Sequence, residues 1–232
     1  MDITGRILYE DNHLVVVNKP AGILVQGDET GDQTLSDFVK QYLKTKYQKP
    51  GAVFLGVIHR IDRPVSGVVV FARTSKALTR MNEKFRTREV QKSYLAIVEG
   101  QPAESSATLV HWLRKNESAN KVTAFKRETK DAQRCELSYK KINSSGKLSL
   151  LEVKPVTGRS HQIRAQLSTI GCPIYGDLKY GSENKMEDQS ICLHAYRLAF
   201  IHPVTLEPVT YTAPVPGIQI DRKSTRLNSS HT

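Results

Sequence analysis

The sequence is poor in the features that mark secreted, membrane-spanning or disulfide-stabilised proteins. It has three cysteines, an odd number with no C-x-x-C pair, so we expect a reduced protein with ordinary buried thiols. No apolar run approaches the roughly 20 residues that a membrane-spanning helix needs. The first residues also lack the apolar core of a signal peptide. We therefore expect a cytoplasmic protein without a membrane anchor.

Acidic residues are also scarce relative to basic ones. The chain has 34 lysines and arginines against 23 aspartates and glutamates, which gives a net charge of +11. Such an excess is typical of proteins that bind a polyanion, most often nucleic acid and sometimes an anionic membrane, although a basic surface that binds nothing is common too. With 39% hydrophobic residues in 232, the composition is globular and excludes disordered, collagen-like and coiled-coil classes.

Hydrophobic periodicity predicts an α+β chain with a twisted, mixed and mainly antiparallel sheet flanked by helices. The predicted elements are two strands within 6–19, a helix within 32–47, a buried strand at 66–72, a helix from Ser75, a buried strand at 92–100, short strands over 101–158, a helix at 160–171 and final strands from 192 on. Either Thr34 or Asp32 could cap the first helix. We expect a single domain over 1–217, followed by a disordered or appended tail at 218–232.

The most unusual segment is H-R-I-D-R-P-V-S-G at 59–67. It places Asp62 between Arg60 and Arg63, just before a turn that leads into a buried strand. Neighbouring guanidiniums lower the pKa expected for a carboxyl group and keep it ionised at neutral pH, as a nucleophile or base requires. A structural aspartate that holds the turn is the alternative, and it would be preferred if Asp62 stood alone.

A second polar segment, G-R-S-H-Q-I-R, begins at Gly158 and is followed by a glycine-rich loop up to Gly181. The polar side chains in the first turn of the predicted helix are those of Arg159, His161, Gln162 and Arg164. The helical period puts His161 and Arg164 on the face opposite the apolar residues. Guanidiniums at a helix N-terminus suit a phosphate, whereas a solvated polar face would need no ligand.

These segments occur in an order that resembles the RluA-type pseudouridine synthases. The matching stretches are N-K-P-A-G-I-L-V at 18–25, H-R-I-D-R-P-V-S-G at 59–67, K-S-Y-L-A-I-V-E-G at 92–100, the stretch 158–181 and L-H-A-Y-R-L-A-F-I-H-P at 193–203. The resemblance covers about residues 6–215. Val65 stands where that family usually has threonine, and Ile61 where leucine is commoner. We expect no S4 RNA-binding module of the kind that many relatives carry.

The resemblance implies an enzyme that isomerises specific uridines of rRNA or tRNA to pseudouridine. Asp62 matches the catalytic aspartate, which attacks the sugar or removes a sugar proton while the base detaches, turns and rejoins through carbon. Tyr94 matches a tyrosine that stacks on the flipped base, although core packing would also explain it. Arg164 matches the arginine that pairs with the catalytic carboxylate.

The resemblance also points to residues that contact RNA. Arg60 matches a residue that helps to hold the extruded nucleotide. The full set expected to contact RNA is Arg60, Arg63, Arg159, His161 and Gln162. Asn18 and Lys19 resemble scaffold or RNA-backbone contacts without a catalytic role.

We expect no cofactor, no metal and a monomeric protein. An isomerisation needs neither redox chemistry nor energy input, and the chain has no G-x-G-x-x-G or G-x-x-x-x-G-K-[ST] motif. Its seven histidines show no metal-ligand spacing.

Three other interpretations fit these residues less well. A kinase catalytic loop is excluded because Ile61 separates the arginine from the aspartate and no D-F-G follows. A glycoside hydrolase would need a second acid, and none is evident near Asp62 in the sequence. A non-catalytic RNA-binding or assembly protein would not need Asp62, Tyr94 and Arg164 together, and an isomerisation assay separates it from an enzyme.

Overall fold

The computed structural model describes residues 1–29, 31–220 and 227–229. The chain forms two compact units, the first made of Met1–Gln91 with Ala195–Pro214 and the second of Lys92–His194 with the chain from Val215 on. The helices are α1 (Leu35–Lys46), α2 (Ser75–Arg86) and α3 (Gln162–Thr169). The strands are β1 (Ile7–Glu10), β2 (Leu14–Lys19), β3 (Gly56–Val57), β4 (Ser66–Ala72), β5 (Gln91–Glu99), β6 (Ser106–Asn116), β7 (Lys121–Phe125), β8 (Gln133–Ser145), β9 (Leu148–Pro155), β10 (Leu193–Ile201), β11 (Pro208–Thr212), β12 (Ile218–Ile220) and β13 (Leu227–Ser229).

The first unit is built around strand β4. Its strands lie in the order β1–β2–β4–β10–β11, with β3 also beside β4. The β1–β2, β2–β4, β3–β4 and β10–β11 pairs are antiparallel. Every residue of β4 is buried, as a continuous apolar run predicts for a strand covered on both faces. Helix α2 contributes Ala77 and Met81 to the core formed with β2 and β4.

Helix α1 begins at a capping box. The Thr34 hydroxyl accepts a hydrogen bond from the Asp37 backbone N–H, and the Asp37 carboxylate accepts one from the Thr34 N–H. These two bonds satisfy backbone donors that the first turn of a helix leaves without partners. Of the two caps that the sequence allowed, Thr34 is the one used.

The second unit contains five consecutive antiparallel strands and one short helix. The strands lie in the order β5–β9–β8–β6–β7, and α3 packs against β6 and β7. Residues 162–167 of α3 are all buried. The helix spans Gln162–Thr169 and is thus shorter than the predicted 160–171. Because residues 162–167 are buried, the predicted solvated polar face is absent and Arg164 lies inside the protein.

The predicted α+β class with a mainly antiparallel sheet and flanking helices is confirmed. The single domain over 1–217 and the tail over 218–232 stay predictions. Within that tail, Ile218–Ile220 pairs with Leu227–Ser229, and residues 221–226 and 230–232 lie outside the described residues.

We predict that Gly67→Ala strongly destabilises the fold. Gly67 has a φ of +120°, and a Cβ atom there would lie 2.2 Å from the backbone oxygen of Ala195 on β10. Backbone strain and a clash with a neighbouring strand together should lower the free energy of unfolding by about 3 kcal/mol or more. Gly146→Ala is the control, since Gly146 has a φ of +56° but no neighbouring atom within 4 Å, and it should cost about 1 kcal/mol. Equal losses for both variants in urea unfolding would contradict this.

Candidate active site

The loop that carries Asp62 is held in place by a hydrogen bond from the buried side chain of Lys19. Lys19 is fully buried at the end of β2. Its Nζ donates hydrogen bonds to the carbonyl oxygens of Pro20 (3.0 Å) and Ile23 (2.7 Å). A third bond, of 3.2 Å, goes to the carbonyl of Arg63, the residue after Asp62. A fully buried ammonium does not contact an RNA backbone, so of the two roles expected for Lys19 the structure supports the scaffold.

Arg63 forms further hydrogen bonds between the loop after β2, which contains Gly22, and the loop that carries Asp62. Its backbone carbonyl accepts a hydrogen bond from the Gly22 N–H (2.8 Å), and its Nε donates to the Gly22 carbonyl (3.0 Å). Its Nη2 pairs with Asp32 at 2.6 Å, and about half of each side chain is exposed. Arg63 therefore faces solvent, as an RNA contact requires, while one nitrogen is held by a carboxylate.

The residues around Asp62 alternate between the interior and solvent. Ile61 is buried, Asp62 is half-buried, and Arg60 and Arg63 are exposed. The Val65 N–H donates to the Asp62 carbonyl at 3.0 Å and closes the turn before β4. The structure thus places a partly accessible carboxylate between two exposed guanidiniums, on a loop whose backbone is fixed.

His59, at the start of the same segment, has a structural role. Its Nε2 accepts a hydrogen bond from the Val70 backbone N–H at 3.1 Å, and its ring stacks on Phe85 with the centroids 4.9 Å apart. A ring nitrogen that accepts a hydrogen bond carries no proton. His59 thus attaches the Asp62 loop to β4 and α2.

Burial strongly affects the titration of Lys19. Removal from water lowers the pKa of Lys19 to about 7, the Asp62 carboxylate opposes this shift, and the Arg63 guanidinium adds to it.

In the second unit, Tyr94 lies on β5 opposite Val153 of β9. Its neighbour Ser93 is buried, whereas Tyr94 itself is half-buried. A half-buried ring suits both core packing and stacking on a base, so both interpretations of Tyr94 stay open.

Arg164 forms a buried, bidentate ion pair with Asp177. Its Nε donates to Oδ2 of Asp177 at 2.7 Å, and its Nη2 donates to Oδ1 at 2.8 Å. Arg164 is 5% exposed and Asp177 is 1% exposed. The guanidinium also lies over the Tyr180 ring, 4.9 Å from its centroid. Bidentate arginine–carboxylate pairs are strong and directional, so the guanidinium is fixed in its plane.

Arg159 and Gln162, two other polar residues of this segment, differ in their exposure to solvent. Arg159 is exposed. The Gln162 side chain is buried, with its oxygen accepting from the Thr157 hydroxyl (2.7 Å) and the Arg159 N–H (3.1 Å) and its Nε2 donating to the Glu136 carbonyl (3.0 Å). These hydrogen bonds hold the backbone at Arg159 in place. RNA contact by Gln162 stays a prediction.

His161 occupies an unusual position at the start of α3. It is the N-cap residue, and its φ of +50° lies in the left-handed region, where side chains other than glycine are strained. Its Nδ1 lies 2.8 Å from the Tyr180 hydroxyl, which also accepts a hydrogen bond from the Val122 N–H at 2.9 Å. A cavity of about 350 Å³ lies nearby, and Lys115 and Arg159 are among its lining residues.

Asp177 and Tyr180 are the residues that sequence reasoning missed. Both lie in the stretch 158–181, where the glycines and proline drew attention to the loop and no role was given to its carboxylate or its aromatic ring. In the sequence, Asp177 lies thirteen positions after Arg164 and outside its helix. Such a spacing does not indicate that the two side chains are in contact, so the sequence carried no usable signal for the pair.

The described part of the chain contains no group of three or more His, Cys, Asp or Glu side chains that could hold a metal ion. None of its helices is long and apolar enough to cross a membrane. Burial raises the pKa of the Cys135 and Cys192 thiols to about 11, so both are protonated at neutral pH. Cys135 and Cys172 are buried as expected, whereas Cys192 is half-buried.

We predict that Lys19 gives the protein a stability that increases with pH. The folded-state pKa is about 7, whereas an unfolded lysine keeps a value of about 10.4. Between these values the unfolded chain binds more protons, so the free energy of unfolding should rise with pH. Urea unfolding of the wild type and of Lys19→Met at intervals from pH 7 to 10 measures this contribution.

The wild type should gain stability relative to Lys19→Met over that interval. A difference that stays constant or shrinks would contradict the prediction. It would show that the three carbonyl oxygens hold the proton on Lys19 in the folded protein.

The chain is similar to several known proteins. The family described as RNA pseudouridylate synthase matches residues 13–169. The chain is 34% identical to the ribosomal large subunit pseudouridine synthase C of Vibrio vulnificus, over 99% of this chain and 71% of that protein. It is also 34% identical to the tRNA pseudouridine synthase C of Vibrio cholerae, over 89% of each. It spans 65% of the length of the ribosomal synthase C of Haemophilus influenzae.

A solved structure shares the fold. It is that of human RNA pseudouridylate synthase domain containing 4, which has a TM-score of 0.78, 28% sequence identity and coverage of 92% of this chain and 90% of that one. The matched segment 13–169 contains Lys19, Asp62, Tyr94 and Arg164. The chain belongs to the RNA pseudouridylate synthase family of isomerases, which confirms its resemblance to the RluA-type enzymes.

Proposed function

We propose that the chain isomerises uridines of ribosomal or transfer RNA to pseudouridine, with Asp62 as the catalytic residue and without a cofactor. One observation carries this proposal. Within the family-matched segment, Asp62 is half-buried between the exposed Arg60 and Arg63, on a loop that buried Lys19 holds through the Arg63 carbonyl. This is an anionic group in a cationic setting that also attracts RNA.

The reaction suits such a group. The bond between N1 of uracil and C1′ of ribose breaks, the base turns, a bond from C5 to C1′ forms, and the proton on C5 is lost while N1 gains one. Substrate and product contain the same atoms, so the reaction needs no oxidant or reductant. An ionised carboxylate can either add to the sugar or remove a sugar proton, and both routes fail with an amide.

RNA recognition would combine charge with stacking. A uridine inside folded RNA must be turned out of its stack, which costs a few kcal/mol. Exposed cations such as Arg60 and Arg159 would hold the phosphates, and the half-buried ring of Tyr94 would stack on the flipped base. We expect these contacts from a monomer.

The substrate class follows the relatives. They include enzymes named for the ribosomal large subunit and an enzyme named for tRNA. We therefore propose a structured RNA of one of these two kinds as the substrate.

The most direct variant is Asp62→Asn, which keeps the size of the side chain and removes its charge. Isomerisation should fall below detection, beyond the roughly 10²–10⁴-fold lost with a single general acid or base. RNA affinity should stay equal or increase, because an anion near phosphates opposes binding. Turnover and RNA affinity should be measured on one folded preparation with RNA that lacks the modification.

The control is Asp188→Asn, which makes the same chemical change on an exposed residue whose carboxylate accepts from Ser190. It should keep wild-type turnover. Turnover by folded Asp62→Asn protein would refute the proposed role of Asp62. A wild type that binds RNA without changing it would favour the non-catalytic interpretation.

We predict that RNA binding depends strongly on salt. Each neutralised phosphate adds about 0.7 to 0.9 to the slope of log affinity against log salt. Arg60→Ala and Arg159→Ala should each reduce this slope by about one such increment. Deletion of residues 221–232 should preserve binding, because they hold three basic residues and one acidic residue and the rest keeps +9. Unchanged slopes in both variants would place the RNA on another surface.

A further inference from the structure

Asp177 determines how the guanidinium of Arg164 is oriented. A guanidinium is planar and offers hydrogen bonds along two edges. Asp177 accepts from Nε and Nη2, which form one of these edges. The other edge, which carries Nη1, therefore faces away from Asp177. A carboxylate that binds one edge at 2.7 and 2.8 Å fixes the direction of the other.

The loop that carries Asp177 is itself braced. The Asp177 N–H donates to the Ile174 carbonyl at 3.0 Å. The Asp177 carbonyl accepts from the N–H groups of Tyr180 (3.0 Å) and Ser182 (3.1 Å). Gly176, just before it, has a φ of +90°, and a Cβ atom there would lie 2.8 Å from the backbone oxygen of Ser190. The carboxylate thus stands on a backbone with little freedom to move.

Tyr180 covers one face of the same guanidinium. Its ring centroid lies 4.9 Å from the Arg164 Cζ, which is a cation–π distance. Its backbone carbonyl accepts from the Ser168 hydroxyl of α3 at 2.6 Å, and its own hydroxyl accepts from the Val122 N–H. The ring is therefore held by two elements besides its own loop.

Stability alone does not explain this arrangement. Burying two charges costs several kcal/mol per ion, and well-packed apolar residues in place of such a pair are often as stable or more stable. What the pair provides, and apolar residues do not, is a cation with a defined direction.

We propose that Asp177 is a positioning residue for the reaction, which holds the Arg164 guanidinium in the single orientation that turnover requires. This inference rests on the proposed function and on the resemblance that counts Arg164 among the residues of the reaction. Asp177 acts only through Arg164, and Tyr180 limits the movement of the guanidinium out of its plane.

Asp177→Asn should therefore affect turnover more than RNA binding. The amide keeps the shape of the side chain but binds the guanidinium less tightly. A misplacement of about 1 Å in an active site can cost about 10²-fold in rate. We expect kcat to fall about 10- to 100-fold, with RNA affinity and KM changed less than about twofold, since exposed cations rather than buried Arg164 provide the phosphate contacts.

The decisive test is a double-mutant cycle on kcat with Arg164→Met, Asp177→Asn and the double variant, each at full length. If Asp177 acts through Arg164, Asp177→Asn should lower kcat in the wild type and have no further effect in the Arg164→Met background. Effects that multiply would overturn the inference, because they would mean that Asp177 acts independently of Arg164.

A second variant covers the case in which Asp177→Asn does not fold. Asp177→Glu keeps the charge that balances Arg164 and displaces the carboxylate by one methylene, so it should destabilise the fold less than Asp177→Asn while kcat falls. Wild-type kcat in Asp177→Glu would overturn the inference, since charge without position would then suffice. Glu83→Gln, which breaks an exposed arginine–glutamate pair with Arg86, is the matched control and should leave kcat unchanged.

The same preparations separate this inference from the proposed function. An active wild type with an inactive Asp62→Asn variant supports the function, and the cycle then decides on Asp177. A wild type that isomerises no uridine would overturn both.

Discussion

The hydrogen bonds of the buried Lys19 ammonium determine where Asp62 can lie. An ammonium taken out of water carries a penalty of several kcal/mol, which only well-placed acceptors offset. Here the acceptors are carbonyl oxygens of two loops, those of Pro20 and Ile23 on one side and that of Arg63 on the other. If either loop shifted, the buried ammonium would lose at least one of these hydrogen bonds. The position of Asp62, one residue before Arg63, follows from this constraint.

The second unit fixes a cation by a different physical means. Arg164 cannot lose its proton, so burial does not neutralise it as burial can neutralise a lysine. Its charge is balanced by Asp177, whose carboxylate matches the guanidinium fork, and its face is covered by Tyr180. Lysine suits a cage of carbonyl oxygens because its ammonium is compact, whereas arginine suits a planar partner because its donors are planar. Each unit thus uses the cation whose geometry fits its loop.

Much of the fold and part of the site could be predicted from the sequence. The run 66–72 predicts a buried strand because it is apolar throughout, and Asp62 stands out because two arginines flank it. The burial of Arg164 could not be predicted, since helical periodicity places it on a polar face and its partner Asp177 lies in a separate loop. A scaffold role for Lys19 was one of two options from the sequence, but its burial could not be predicted, because its three acceptors are backbone carbonyls that no side-chain pattern reveals.

The most direct test is to map pseudouridines in the ribosomal and transfer RNA of cells that lack this gene. The same cells should then be mapped after they regain either the wild-type chain or Asp62→Asn at equal abundance. The account predicts that at least one pseudouridine disappears with the gene, returns with the wild type and stays absent with Asp62→Asn. Restoration of that pseudouridine by Asp62→Asn, or no lost pseudouridine at all, would contradict it.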